Sequence, residues 1–177
     1  KGTEHRDAYG GWTAGTGTSK ALKNNSTGNT VNLAGGTVRN IYGGFTSSDG
    51  GSATGNKVNI SGGTVASASG VGGTVYGGYI SSATSAGDAT GNTVTITGGT
   101  VGDVYAGYTN GTGKTTGNTV NLGDGTNAMA SGTSITGTLA GGNQATATDN
   151  TLNVNTNAAV GNIKNFAKIS FKLDGAV

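Results

Sequence analysis

One seven-residue phrase constrains the fold of this chain more than any other feature. Thr27-Gly28-Asn29-Thr30-Val31-Asn32-Leu33 returns as Thr54-Gly55-Asn56-Lys57-Val58-Asn59-Ile60, as Thr90-Gly91-Asn92-Thr93-Val94-Thr95-Ile96 and as Thr116-Gly117-Asn118-Thr119-Val120-Asn121-Leu122. A worn fifth copy reads Thr148-Asp149-Asn150-Thr151-Leu152-Asn153-Val154. The Asn-to-Asn spacings are 27, 36, 26 and 32 residues, the pattern of fixed strands joined by variable loops. Apolar residues alternate within each copy, so Val31 and Leu33 share one face of a strand while Thr30 and Asn32 share the other. A unit of this length cannot bury its own apolar face, but stacked units can. Corresponding strands of successive turns then pair in parallel, about 4.8 Å apart. The expected fold is therefore all-β, a right-handed parallel β-solenoid of about five irregular turns. A β-propeller blade needs four antiparallel strands in about 40 residues, and these repeats are too short for one.

A second phrase follows the first. Gly35-Gly36-Thr37-Val38 leads to Ile41-Tyr42-Gly43-Gly44-Phe45, and Gly98-Gly99-Thr100-Val101 leads to Val104-Tyr105-Ala106-Gly107-Tyr108 at identical spacing. Gly62-Gly63-Thr64-Val65 reaches Val75-Tyr76-Gly77-Gly78-Tyr79 only after seven extra residues, 66–72. Leu139-Ala140-Gly141-Gly142-Asn143 is an eroded copy, and Tyr9-Gly10-Gly11-Trp12 matches the back half of a repeat, so the sequence starts mid-repeat. The Gly pairs mark expected corners, where a positive φ or a close backbone approach is needed. The core is expected to hold Val31, Leu33, Val38, Ile41, Val58, Ile60, Val65, Val75, Val94, Ile96, Val101, Val104, Val120 and Leu122. Asn29, Asn56, Asn92, Asn118 and Asn150 have the inward parity and should form an amide ladder at a corner. Segments 47–53, 66–72 and 81–89 vary between repeats and are expected to be exposed loops. Near the end Ala167, Ile169, Phe171 and Leu173 alternate with Lys168, Ser170 and Lys172. This predicts a terminal strand covering the last turn, with 162–177 as the cap region of a single domain spanning 1–177.

Composition agrees with this frame. Of 177 residues 37 are Gly, 30 Thr and 19 Asn, all poor helix formers. Pro and Cys are absent, which excludes collagen, a disulfide framework, a zinc ribbon and thiol chemistry. A net charge of +2 with 10% charged residues is too mild for a nucleic-acid binder. No run is long and apolar enough for a membrane-spanning helix, so no membrane contact is expected from this segment. No signal peptide opens the sequence, which is expected of either a processed chain or a piece of a longer one.

Chemistry-bearing motifs are sparse. His5 stands alone between Glu4 and Asp7, and the seven Asp residues recur at no fixed spacing. Asp103 and Asp124 could meet on adjacent turns by chance, but a glycosidase needs a deliberate carboxylate pair. No calcium-roll, phosphate-loop, zinc or nucleophile-elbow signature is present, so no catalytic residue, metal or cofactor is expected. Eight of the ten aromatic residues fall in one motif, with Tyr9, Tyr42, Tyr76 and Tyr105 in its first slot and Trp12, Phe45, Tyr79 and Tyr108 in its second. Stacked turns place each set in a column. The first set follows inward residues and should point outward; the second, three residues on, should fold inward or over a corner. The candidate binding residues are thus Tyr9, Tyr42, Tyr76, Tyr105, Trp12, Tyr79 and Tyr108, against the simpler reading that both columns only hold the turns together.

The alternation of Gly-Asn-Thr-Val-x-Leu/Ile, Gly-Gly-Thr-Val and Val-Tyr-Gly-Gly-Tyr resembles the adhesin-type β-helical passenger domains of bacterial type V autotransporters. Asn162-Ile163-Lys164-Asn165-Phe166-Ala167-Lys168-Ile169-Ser170-Phe171 looks like the segment that ends such modules. The resemblance runs over 9–173. It implies secretion across a Gram-negative outer membrane, surface display and a role in adhesion or biofilm, with a C-terminal outer-membrane barrel in the full-length protein. The implied partners are glycans or proteins of a host or neighbouring cell, and self-association stays open. The other reading is a carbohydrate-active enzyme, a polysaccharide lyase or hydrolase, on a β-helix. Ice binding by Thr rows is disfavoured because Lys57 interrupts the column of Thr30, Thr93 and Thr119.

Overall fold

Each Thr-Gly-Asn phrase turns a corner. Gly28, Gly55, Gly91 and Gly117 adopt φ of 68°, 66°, 66° and 67°, a left-handed conformation that only Gly enters freely. In the fifth copy Asp149 takes the same turn at φ 61°. The computed structural model describes residues 6–15, 23–67, 72–145, 148–156 and 158–172. Glu4, His5 and Leu173 lie outside them.

Among the described residues the chain is all-β, with no helix, and the strands form three parallel sheets. One sheet orders Ala8–Thr13, Ile41–Thr46, Thr74–Ile80, Asp103–Thr109, Leu139–Gly142 and Ile163–Lys164, so that its strands follow one another in sequence order. A second runs Thr30–Leu33, Lys57–Val65, Thr93–Val101, Thr119–Leu122, Thr151–Val154 and Lys168–Phe171, with Thr37–Val38 and Ser134–Ile135 paired alongside. A short third sheet stacks Ser26–Thr27, Ala53–Thr54 and Ala89–Thr90. Register follows the repeat: Val31 lies on Val58, Val58 on Val94, Val94 on Val120 and Val120 on Leu152.

The inward parity is borne out. Ile41, Val58, Ile60, Val65, Val75, Val94, Ile96, Val101, Val104, Val120 and Leu122 are buried, and Leu33 nearly so. Val31 and Val38 are only half-buried, because they belong to the first rung of the second sheet. The Gly-Gly-Thr-Val pairs take the expected positive φ, and Gly35-Gly36, with Gly36 at 79°, separates two strands as a corner should. Gly62-Gly63 and Gly98-Gly99 lie inside the continuous strands Lys57–Val65 and Thr93–Val101, where the register shifts and Gly63 and Gly99 adopt φ of 84° and 90°. They are β-bulges, which turn the strand without ending it.

One expectation about the loops is corrected. Segments 47–53 and 81–89 are not simply exposed, since Ser48, Gly51, Ala53, Ser85, Gly87 and Ala89 are buried. Ser85 Oγ accepts the N–H groups of Gly50 and Gly87 at 3.1 Å each, and the third sheet seats both segments against the body. Of segment 66–72, Ala66 and Gly72 meet in an antiparallel bridge and Gly72 is exposed, while 68–71 lie outside the described residues. The terminal strand does lie on the last turn, while 173–177 of the expected cap region fall outside the described residues. Lys168–Phe171 pairs in register with Thr151–Val154 as one more rung, leaving Ile169 43% and Phe171 68% exposed. An edge strand that satisfies its backbone on one side buries side chains only if something lies beyond it.

Candidate functional site: the aromatic face

The first sheet brings all eight predicted rings to one face. Strand pairing sets Tyr9 beside Tyr42, Tyr42 beside Tyr76 and Tyr76 beside Tyr105, with Trp12, Phe45, Tyr79 and Tyr108 in the parallel file. The first file points outward as expected. Its rings stack with centroids 4.8, 5.1 and 6.0 Å apart and planes 7°, 11° and 16° from parallel.

The second file was expected to fold inward or over a corner, and instead it stays within the strands on the outer face. Phe45, Tyr79 and Tyr108 are half-buried on the same outer face, and Trp12 is 62% exposed. The reason lies in the Gly pair between the two slots. In Ile41–Thr46 both Gly43 and Gly44 are buried, so two successive residues point inward and Phe45 regains the parity of Tyr42. Strict alternation fails where two successive residues face inward, although the register between neighbouring strands is kept.

What the inward glycines make room for is the asparagine ladder. A Cβ on Gly44 would overlap the Asn56 amide, and one on Gly78 or Gly107 would overlap that of Asn92 or Asn118. Asn56, Asn92, Asn118 and Asn150 are buried, and each is hydrogen-bonded through its side-chain amide. Nδ2 of Asn29, Asn56 and Asn92 donates to Oδ1 of the next Asn at 2.9, 3.0 and 3.1 Å. Each backbone N–H reinforces the same acceptor, and Asn118 continues to Asn150 at 2.8 Å. The second hydrogen of Nδ2 goes to a backbone carbonyl: Ser26 from Asn56, Ala53 from Asn92 and Ala89 from Asn118, each at 3.0 Å. The Asn column is scaffold, and the rings stand on its far side.

Between the files the rings meet edge to face. Tyr42 and Phe45 are 5.4 Å apart at 87°, Tyr76 and Tyr79 4.7 Å at 61°, and Tyr105 and Tyr108 5.2 Å at 87°. Such pairs contribute about 0.5–1.5 kcal/mol each beyond burial. Stacking closes the ring faces, and some phenol oxygens bond within the chain: the Tyr9 hydroxyl donates to Asp7 Oδ2 at 3.4 Å, and that of Tyr79 accepts from Asn110 Nδ2 at 3.2 Å. Removal from water, the largest cause, pushes the Tyr76 phenol up to about 12 and raises Tyr9, Tyr42 and Tyr105 as well. These groups are neutral hydroxyls at physiological pH.

The array has defined ends. At one, Arg39 grips Asp7 through Nε and Nη2 at 2.8 Å each, and Asn40 Nδ2 adds a bond at 3.0 Å. The Arg39 contact holds the Asp7 carboxyl below its usual range. At the other, Ala140 and then Lys164 continue the first file, and Asn143 bonds the backbone of Thr109 through both amide atoms.

Acidic residues elsewhere serve local structure. Asp49 accepts from Ser82 and Thr84, Asp88 from the Lys114 N–H at 2.7 Å, and Asp103 from the Thr138 N–H at 2.7 Å. Asp124 caps a turn by accepting from the backbone N–H groups of Thr126 and Asn127 and from Asn127 Nδ2. Those bonds hold its carboxyl at about 2. Among the described residues no cluster of three His, Asp or Glu could hold a metal ion, and no helix is long and apolar enough to cross a membrane. Comparison with protein-family models, with curated proteins and with solved structures gave no match.

Proposed function

We propose that this chain is a right-handed parallel β-solenoid of about five irregular turns, and that it serves as an extracellular adhesive rod of the autotransporter-passenger kind, displayed on or released from a Gram-negative surface. The observation that carries the adhesive reading is the aromatic face: eight rings in two interlocked files on one sheet. Parallel crossovers between strands of one sheet are right-handed in nearly every case, which supports the handedness. The first two sheets gain a strand from each repeat in the same order, and the third from each of the first three, which supports the solenoid.

The size of the face favours an extended partner. Stable protein interfaces bury about 800 Å² on each side. Four strands at a spacing of about 4.8 Å span only about 15 Å. A glycan strand suits such a patch better than a globular surface does. Because stacking closes most ring faces, recognition rests on the phenol hydroxyls, which both donate and accept hydrogen bonds. Trp12, stacked on Tyr9 and largely exposed, adds a platform at one end. The polysaccharide lyase or hydrolase reading has less support, since the described acids other than Asp149 are engaged in separate local contacts.

Glycan-array binding of the chain, compared with a variant carrying Tyr42→Phe, Tyr76→Phe and Tyr105→Phe, tests the proposal. Phe keeps the ring contacts and removes the hydroxyls. Binding should fall at least about tenfold, the loss of roughly 1.4 kcal/mol spread over three hydrogen bonds, while the far-UV β-sheet spectrum stays unchanged. Equal binding by the variant would sink the phenol-mediated reading.

A further inference from the structure

Six of the eight rings on the aromatic face are phenols, in a chain with no cysteine to join its turns covalently. Tyr76 sits at their centre. Its ring lies 5.1 Å from Tyr42, 4.7 Å from Tyr79, 6.0 Å from Tyr105 and 5.3 Å from Tyr108. These contacts are of two kinds. Tyr42 and Tyr105 stack on its faces at 11° and 16°, whereas Tyr79 and Tyr108 meet it at 61° and 81°.

The difference matters for bond formation. Two phenols joined through their ortho carbons lie side by side and twisted about the new bond. A face-to-face stack must come apart to reach that geometry. A steeply inclined pair needs only a small ring rotation, and the centroids of Tyr76 and Tyr79 are already close to the separation in the coupled product. All three rings are half-buried, so a radical formed at the surface has a neighbour within contact distance before water or a second molecule can intercept it.

We propose that the tyrosine array is an oxidative cross-linking site with Tyr76 as its hub, coupling to Tyr79 within a strand or to Tyr108 on the next one to give intrachain dityrosine. The oxidant is hydrogen peroxide acting through a haem peroxidase. Each of two phenols gives up one electron and one proton, and the peroxide is reduced to two molecules of water. The two phenoxyl radicals pair their unpaired electrons in a carbon–carbon bond between ortho positions. Each ring then moves the hydrogen on its bonded carbon to its oxygen, which restores both phenols. The product differs from the starting chain by two hydrogens. A Tyr76–Tyr108 bond would tie neighbouring strands of the ladder together, as a disulfide would in a chain that had cysteines. The coupling requires no glycan and stands or falls separately from the adhesive reading.

Dilute chain treated with a haem peroxidase and hydrogen peroxide provides the test. The expected products are monomers on a denaturing gel, with blue dityrosine fluorescence and an intact mass lower by two hydrogens. Tandem mass spectrometry should place the link at Tyr76 with Tyr79 or Tyr108. Tyr76→Phe, which keeps the ring contacts, should lose most of the fluorescence and of the mass loss, whereas Tyr42→Phe should keep most of both. Three results would each overturn the proposal: coupling of Tyr76→Phe at the wild-type yield, dityrosine found only between chains, or no coupling where a free tyrosine derivative couples fully. If Tyr76→Phe fails to fold, the mapped position of the link in the wild-type chain decides the matter.

Discussion

At the scale of single residues, Asn92 shows how much one side chain does here. Its Oδ1 accepts both the backbone N–H and Nδ2 of Asn56 at 3.0 Å, and its Nδ2 donates to the Ala53 carbonyl and to Asn118 Oδ1. Each buried polar group left without a partner costs about 1–3 kcal/mol. Asn92→Ala strands the two Asn56 donors and the Ala53 carbonyl, so a loss of roughly 3–5 kcal/mol is expected. Urea unfolding checks it through a lower midpoint at unchanged slope. Asn29→Ala should cost less than half as much, since Asn29 is only half-buried and supports a single neighbouring rung. A loss of equal size at both positions would mean that the ladder does not act through buried amide bonds. The Asn ladder was legible in the sequence because a polar residue recurred at an inward position, where only a partnered amide is tolerated. Its Gly counterparts were legible only in part. The sequence marks Gly44, Gly78 and Gly107 as special, but not that the space they leave is filled by an Asn from the Thr-Gly-Asn corner.

At the scale of elements, strand parity read the core correctly and failed where a glycine pair intervened. Alternation is a local rule, and two consecutive inward residues reset it. That is why Phe45, Tyr79 and Tyr108 joined the outer face against expectation, and a Tyr-Gly-Gly-Tyr spacing alone could not have revealed it. Loop length misled for a related reason. Segments 47–53 and 81–89 differ in length between repeats, yet each carries buried residues and feeds the third sheet, whose two-residue strands are too short to announce themselves by periodicity. The distinction is testable. Four Gly and Ser residues inserted between Ser67 and Gly72, inside the loop closed by the Ala66–Gly72 bridge, should cost less than about 1 kcal/mol, as loop lengthening is cheap. Ser85→Ala removes a fully buried hydroxyl that holds two N–H groups, and a cost of roughly 2–4 kcal/mol is expected. Thermal melting of both variants compares the two. The reverse order would show that the 66–72 loop packs and the 81–89 segment does not. The terminal strand taught the same lesson as the loops: Ile169 and Phe171 alternate as a half-buried strand should, but alternation shows which side chains share a face and not whether that face is covered.

At the scale of the whole molecule, the aromatic face couples stability to alkaline pH. An unfolded phenol ionises near pH 10, whereas burial among the other rings pushes Tyr76 up to about 12 and raises Tyr9, Tyr42 and Tyr105 in the same direction. The folded state therefore holds these protons more tightly than the unfolded one. Their contribution is fully present below pH 10 and is lost as the pH climbs from 10 towards 12. The ultraviolet phenolate band of these residues should rise together with the loss of the far-UV β-sheet signal. Ionisation of Tyr76 near pH 10 with the sheet intact would contradict this. The amide ladder has a further consequence for the molecule as an electrical object. In the parallel sheets neighbouring peptide dipoles alternate and nearly cancel. The side-chain amides do not alternate, for Nδ2 of Asn29, Asn56 and Asn92 points toward the next Asn and every accepting Oδ1 points back. Aligned amides polarise one another and add head to tail, as peptide units do in a helix. The body is thus polar along its length, relatively negative toward Asn29 and relatively positive toward Asn150, so an ion or a charged chain approaching the two ends meets fields of opposite sign.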